Sequence, residues 1–323
     1  AAQGDYIGAV TDYGHAIRVD PDNAELYYSR ATLRYHIGDF QGVVVDCTAS
    51  IERGIAYPDV FATRGSAYAR LHQSNEAIAD YTEVLRLDRL SGSTYYSRGA
   101  VYFQDGQFED AIDDFSKAIQ HSTPDKDAYY ARASAYQKQG NYNKARQDYR
   151  KVIAQDADHL ESLYHLGEIY LLTDKVDRAL DMLNEAVRLH PSSREYRLRA
   201  QAHHLNDDLI AALEDYNEAI LLNDDVYLLV ARAEILFLMQ EYAEALEDFR
   251  MAIEQDSNCA EAVAGHALSL FALDKTDRAE RGWRVLLAQD ERYADIETVL
   301  MLTGWTGHLA ERVEQFIATL PDA

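Results

Sequence analysis

The feature that most constrains this chain is self-similarity at a fixed period. Residues 94–123, TYYSRGAVYFQDGQFEDAIDDFSKAIQHST, recur with variation along nearly the whole sequence. Thirty-four residues earlier stands VFATRGSAYARLHQSNEAIADYTEVLRL, and thirty-four later AYYARASAYQKQGNYNKARQDYRKVIAQ. A unit this short cannot bury its own apolar face, so copies must stack on their neighbours. Complete copies begin at Ala24, Pro58, Gly92, Lys126, Leu160, Ser193, Val226 and Ala260, every 34 residues except for two steps of 33 at Ser193 and Val226.

Each copy reads as two helices. Apolar residues fall at helical spacing in the first (Tyr95, Gly99, Tyr102) and in the second (Ala111, Phe115, Ala118). Gly38, Gly106 and Gly140 mark a left-handed turn between them, and Asp174, Asp207 and Asp274 mark the same turn later. Small residues at fixed sites, such as Ala31, Gly65, Gly99 and Ala133 or Ala77, Ala111 and Ala145, let the paired helices approach closely. The order of tyrosine, small residue, tyrosine, alanine, aromatic and alanine resembles the tetratricopeptide (TPR) repeat family over roughly residues 5–290. The resemblance implies an all-α fold: a right-handed α-solenoid of antiparallel helix pairs. It is expected to run as one array over 1–323, with a half repeat at 3–22, eight repeats at 24–290 and capping helices at 294–323. The half repeat has the second-helix pattern with no first helix before it, which leads us to expect missing upstream sequence or a degenerate cap. At the other end the expected elements are a short helix at 294–302, a turn at TGWTG and an amphipathic closing helix at 308–320.

Composition narrows the partners. Lys and Arg total 31 against 55 Asp and Glu, a formal charge of −24, which repels nucleic-acid phosphates and anionic lipid. No apolar run is long enough to span a membrane. Cys47 and Cys259 stand far apart and outside any CxxC pair, as expected of reduced thiols in a cytoplasmic protein. No phosphate loop, HExxH, GxSxG or metal-ligand spacing occurs, so no catalytic residue, metal or cofactor is expected.

The copies can also be compared with one another. Six of eight carry arginine at one first-helix site (Arg30, Arg64, Arg98, Arg132, Arg199, Arg232). The same six carry aspartate sixteen residues later (Asp46, Asp80, Asp114, Asp148, Asp215, Asp248). The exceptions coincide, Leu166 with Met182 and His266 with Gly282. Independent gaps would coincide about once in 28. Both sites lie about eight residues from the turn, so antiparallel helices bring them together, and six partly buried salt bridges are expected.

In TPR proteins the first helices line a concave face where partner peptides lie. Placing the repeat frame on this sequence puts Tyr28, Thr32, Tyr35, Ser66, Arg70, Tyr96, Phe103 and Gln104 there. Tyr130, Ser134, Gln137, Lys138, Tyr164, Glu168, Tyr227, Glu234 and Phe237 follow. Tyrosine suits peptide contact, being rigid and amphipathic, yet it also serves as filler between adjacent helices, and the two readings stand side by side. Arg194, Arg197, Gln201 and His204 share one helical face and form the most basic stripe of the chain. They can hold an acidic peptide or a terminal carboxylate, or they can pair with Glu161, Glu168 or Glu234. The second has the greater weight because surface ion pairs are common. The basic and asparagine set with which some TPR modules hold chaperone tails is absent, so that function is not carried over. The reading is a non-catalytic scaffold for a peptide or protein partner, with no nucleic acid and no membrane. The alternatives are an interaction segment of a larger enzyme or signalling protein, and a spacer without a ligand groove; oligomeric state is not legible.

Overall fold

The structure, a computed structural model, describes residues 2–121 and 125–320. The described residues form helices and their links, with no strand. They divide into two compact units, Ala1–Ser162 and Leu163–Ala323.

The first unit opens with α1 (Ala2–Val19). Four helix pairs follow: α2 (Ala24–His36) and α3 (Phe40–Glu52), α4 (Pro58–Arg70) and α5 (Ser74–Leu87), α6 (Gly92–Gln104) and α7 (Phe108–His121), and α8 (Lys126–Lys138) and α9 (Tyr142–Gln155). In the second unit, which begins within α10 (Leu160–Leu172), α10 packs on α11 (Val176–Leu189), α12 (Ser193–Leu205) pairs with α13 (Leu209–Leu222), α14 (Val226–Leu238) with α15 (Tyr242–Gln255), and α16 (Ala260–Ala272) with α17 (Thr276–Gln289). A 3-10 turn at Glu291–Ala294 leads to α18 (Ile296–Thr303) and α19 (Gly307–Ile317). All eight first helices start at the residue read from the repeat. Residues 321–323 of the expected cap lie outside the described part.

One turn closes every pair. The second residue after the first helix's end takes a positive φ, and the next N–H bonds the carbonyl five residues back, as in Asn141 to Tyr136 (2.8 Å) or Glu241 to Leu236 (2.9 Å). Glycine occupies the left-handed position in Gly38, Gly106 and Gly140, and aspartate in Asp174, Asp207 and Asp274, as expected. No residue type marks the turn at His72 (φ 58°) and Gln240 (φ 66°), where the bulkier side chains adopt it too. The small sites also behave as expected: Ala31, Ala133, Ala77, Ala111 and Ala145 are fully buried. A Cβ on Gly99 would lie 3.0 Å from the Phe115 ring, and one on Gly265 only 2.2 Å from that of Phe249.

All six expected salt bridges form. In each, arginine Nε and Nη2 donate to both carboxylate oxygens of the partner aspartate at 2.6–3.0 Å. The arginine side chains are 15–21% exposed and the aspartates 0–7%. The third nitrogen reaches across to the preceding second helix, which was not foreseen. Nη1 of Arg64, Arg98, Arg132, Arg199 and Arg232 donates to Thr48, Thr82, Ser116, Asn184 and Asn217 at 2.8–3.1 Å. Each acceptor stands two residues after the aspartate site of its own repeat. The guanidinium therefore ties its own pair shut and fastens it to the pair before. Where the arginine is missing, at Leu166 and His266, that acceptor site holds Arg150 and Arg250 instead. In the second unit burial, then Arg278 and Arg250, push the His266 imidazole down.

Candidate functional site

Once the ladder arginines are committed to aspartate, what first helices can offer a partner is their remaining outward residues. Within the first unit, α2, α4, α6 and α8 succeed one another as neighbours; in the second, α14 and α16 do. These rows are the candidate binding face.

In the first unit the aromatic residues divide into fillers and surface. Tyr35 meets Phe40 edge-on at 5.4 Å, Phe103 meets Phe108 at 5.6 Å, and Tyr130 lies between Tyr149 and His159 at 5.8 and 5.2 Å. Tyr28 is half-buried and hydrogen-bonded to Thr63 of the next first helix, and burial raises its phenol. The polar sites beside them are also engaged. Ser66 bonds the Tyr81 hydroxyl at 3.0 Å, while Ser134 and Gln137 both bond that of Tyr149, at 3.1 and 2.9 Å. Tyr96 keeps surface: it is 37% exposed, backed by Phe115 at 5.6 Å. It borders a recess of about 250 Å³ shared with Asp125 and Asp127, and burial followed by those two charges raises its phenol. Lys138 is exposed at the end of α8.

In the second unit one expectation is overturned. Tyr164, assigned to the groove surface, is 4% exposed, because the Arg194 guanidinium lies over its ring, 3.6 Å from the centroid. The ring is the floor, and the arginine is what faces outward. Arg194 is also 4.0 Å from Glu195, a buried carboxylate that accepts from the Ser192 hydroxyl. Arg197, one turn on, is exposed and forms no ion pair among the described residues, so the expected pairing with flanking glutamates does not account for it. Gln201 and His204 continue the stripe half-buried, and burial lowers the His204 pKa, which removes its charge at neutral pH. The basic character of the stripe is that of two arginines. They border an open cavity of about 800 Å³ whose far wall carries Leu222 and Tyr227, 56% and 70% exposed. Tyr227 is thus the most exposed of the expected rings.

Glu234 and Phe237, also expected on this face, are covered by the chain's own C-terminal segment. Besides closing the last repeat, α19 reaches back to α14 and α16. The indole N–H of Trp305 donates to Glu234 at 2.7 Å, and His308 sits beside Phe237 and within 3.1 Å of the Tyr242 hydroxyl. Burial, opposed by the Trp305 hydrogen bond and helped by the Glu261 charge, pushes the Glu234 carboxyl up to about 7. Leu309, Val313 and Phe316 anchor the segment, Phe316 against both Phe271 and Trp283. The amphipathic stripe of α19 was legible, its seat was not.

Neither cysteine is near this face in a reactive form: both are free and buried, and burial pushes the Cys47 thiol up to about 12. No described helix is long and apolar enough to cross a membrane.

Comparison with known proteins agrees with this architecture. Tetratricopeptide repeat models match residues 58–89 and 130–194, and a TPR repeat model matches 1–38 and 99–140, together just over half of the chain. DnaJ homolog subfamily C member 7 of Mus musculus and of Homo sapiens is 28% identical over 91 residues, 27% of this chain and 18% of the relative. The chain therefore spans less than a fifth of the length of these curated relatives. Among solved structures, the C-terminal part of a TPR repeat-containing protein from Cytophaga hutchinsonii superposes with TM-score 0.66 at 18% identity, covering 74% of this chain and 98% of that one. A tetratricopeptide repeat protein from Parabacteroides merdae gives 0.56 at 16% identity over 81% and 99%. YrrB, described as a TPR protein with an unusual peptide-binding site, gives 0.52 at 20% identity over 59% and 97%. At these identities the structures speak for the fold alone, and fold and family models agree: the chain belongs to the tetratricopeptide repeat family.

Proposed function

We propose that this chain is a non-catalytic interaction scaffold that binds a peptide or protein partner on the face formed by its first helices, the concave face of TPR proteins. The observation that carries the reading is the division of labour among first-helix residues. Arginines are tied to aspartates inside repeats and to hydroxyl or amide oxygens of the preceding repeat, whereas Tyr96 and Tyr227 keep exposed rings on the surface. A rigid ring with a polar tip offers contact area at low entropic cost. YrrB, a solved TPR structure with the same fold, is described as having a peptide-binding site, which supports the reading by analogy of fold. The acidic surface favours neutral or basic segments over nucleic acid and membrane for most of the chain, and two buried thiols fit a cytoplasmic setting.

Panning a random dodecapeptide library against the chain provides the test. Recovered peptides are re-measured on Tyr96→Ala and Tyr227→Ala, and on Glu109→Ala on second helix α7. The reading requires loss of binding in one or both tyrosine variants and retention in Glu109→Ala. Peptides indifferent to both tyrosines, or no peptide recovered, would sink it.

A further inference from the structure

We propose that the cavity between the first turns of α12 and α14 is a site for an acidic peptide segment, in which an aspartate or glutamate side chain meets Arg197 and Arg194 while a neighbouring apolar side chain lies on Leu222 and Tyr227. This rests on the peptide-scaffold reading above and gives it a ligand chemistry.

Three observations converge on the cavity. The first is charge. In a chain of formal charge −24, the lining carries Arg194 and Arg197 against one carboxylate, Asp225, with Glu195 buried behind it 4.0 Å from Arg194. Asp225 is already occupied as the cap of α14, accepting from the Tyr227 N–H at 2.8 Å. Arg197 has no ion pair among the described residues, and its planar fork suits a carboxylate bidentately. Arg194 is pre-positioned by the Tyr164 ring beneath it, so its orientation costs little entropy on binding. The second is apolar exposure. Leu222 and Tyr227, both on the lining, are 56% and 70% exposed, uncovered apolar surface of the kind that marks an interaction site. The third is size. At about 800 Å³ the cavity falls in the range of sites that enclose a drug-sized ligand, the bulk of several residues of a continuing chain rather than one terminal residue.

The geometry also sets the order of the two contacts. Arginines lie on α12, and the apolar wall comes from the end of α13 and the start of α14. A peptide must therefore present its acidic and apolar side chains side by side, and a charge alone or an apolar residue alone fills half of the site. His204, neutral through burial, adds no charge further along, so specificity for the acid is confined to this end of α12.

The test uses the full chain and fluorescein-labelled, end-capped degenerate octapeptide libraries. They differ only in two central residues: Glu-Leu, Gln-Leu or Glu-Ser. The Glu-Leu library is expected to bind about tenfold more tightly than Gln-Leu, the contribution of a charged hydrogen-bonded pair. It should also bind more tightly than Glu-Ser and weaken as salt rises. Arg197→Gln, at an exposed position, should bring Glu-Leu down to the Gln-Leu level with an unchanged melting temperature. Arg284→Gln on α17 should leave the preference intact. Equal binding of the Glu-Leu and Gln-Leu libraries, no binding of either, or an Arg197→Gln variant that keeps the preference overturns the proposal. So does a preference confined to peptides with a free terminal carboxylate, which would assign the arginines to a chain end. If Arg197→Gln loses nothing while panned peptides still need Tyr96, this proposal fails and the scaffold reading stands.

Discussion

Replacing Arg132 and Asp148 together, as the repeat at Leu160 does naturally with Leu166 and Met182, should cost far less than replacing either alone. Asp148 is 3% exposed and accepts from Arg132 at 2.7 and 3.0 Å, with Lys151 at 3.1 Å as a second partner. Arg132→Leu leaves that carboxylate buried with only the lysine, and loses the bond from Arg132 to Ser116 at 2.9 Å. Asp148→Met leaves a guanidinium, 16% exposed, with only the Ser116 hydroxyl. Breaking a buried pair by one partner costs about 3–5 kcal/mol, and the residual contacts and partial exposure place each single variant near the lower bound, about 3 kcal/mol. The double variant removes both charges and restores apolar contact, so about 2 kcal/mol of destabilisation remains, mostly the lost tie to Ser116 and imperfect repacking. The coupling is then about 4 kcal/mol, somewhat beyond the usual range for contacting residues because both singles strand a buried charge. Urea denaturation followed by circular dichroism at pH 7, with all four proteins of the cycle, measures it. Additive losses would show that Arg132 and Asp148 act independently, contrary to the paired fastening seen in the geometry.

Three further outcomes follow from the same structure. Glu234 has a folded pKa of about 7 against an unfolded value near 4.5, so its contribution is fully present below pH 4.5 and is lost as pH rises through 7. Glu234→Gln, which keeps an oxygen for Trp305, should therefore gain stability on wild type between pH 4.5 and 8, by up to about 3 kcal/mol in urea titrations; a pH-independent difference contradicts this. Gln240 holds φ 66° with a full side chain, so Gln240→Gly should raise stability by about 1 kcal/mol, read as a rise in melting temperature. Finally, Cys47 should resist iodoacetamide at pH 8 until the chain unfolds, since burial holds its thiol near pKa 12; modification of the native protein at a free-thiol rate would be the contrary result.

How much was legible varied with how local the cause was. Helix starts such as Lys126 and Ser193 were readable because the repeat registers them eight times. The Arg98–Asp114 pairing was readable because its loss is correlated across copies. The third arginine bond escaped because its acceptor varies among Thr48, Ser116 and Asn184, so chemistry is kept while identity is not. The left-handed residues His72 and Gln240 were hidden for a related reason: chain reversal imposes the conformation whatever residue stands there. Tyr164 was misplaced because its exposure is decided by Arg194, thirty residues on, and not by its own position in the repeat. The seat of Trp305 on Glu234 was out of reach, since an amphipathic stripe shows that a helix is covered and not by what.

We propose that partners are held by first helices. Photo-crosslinking tests it most directly, with p-benzoylphenylalanine at Tyr96 or Tyr227 on first helices and at Val45 or Val285, exposed residues of second helices α3 and α17. With a peptide recovered by panning, covalent adducts are expected at Tyr96 or Tyr227 and none at Val45 or Val285. Adducts confined to the second-helix positions would contradict it.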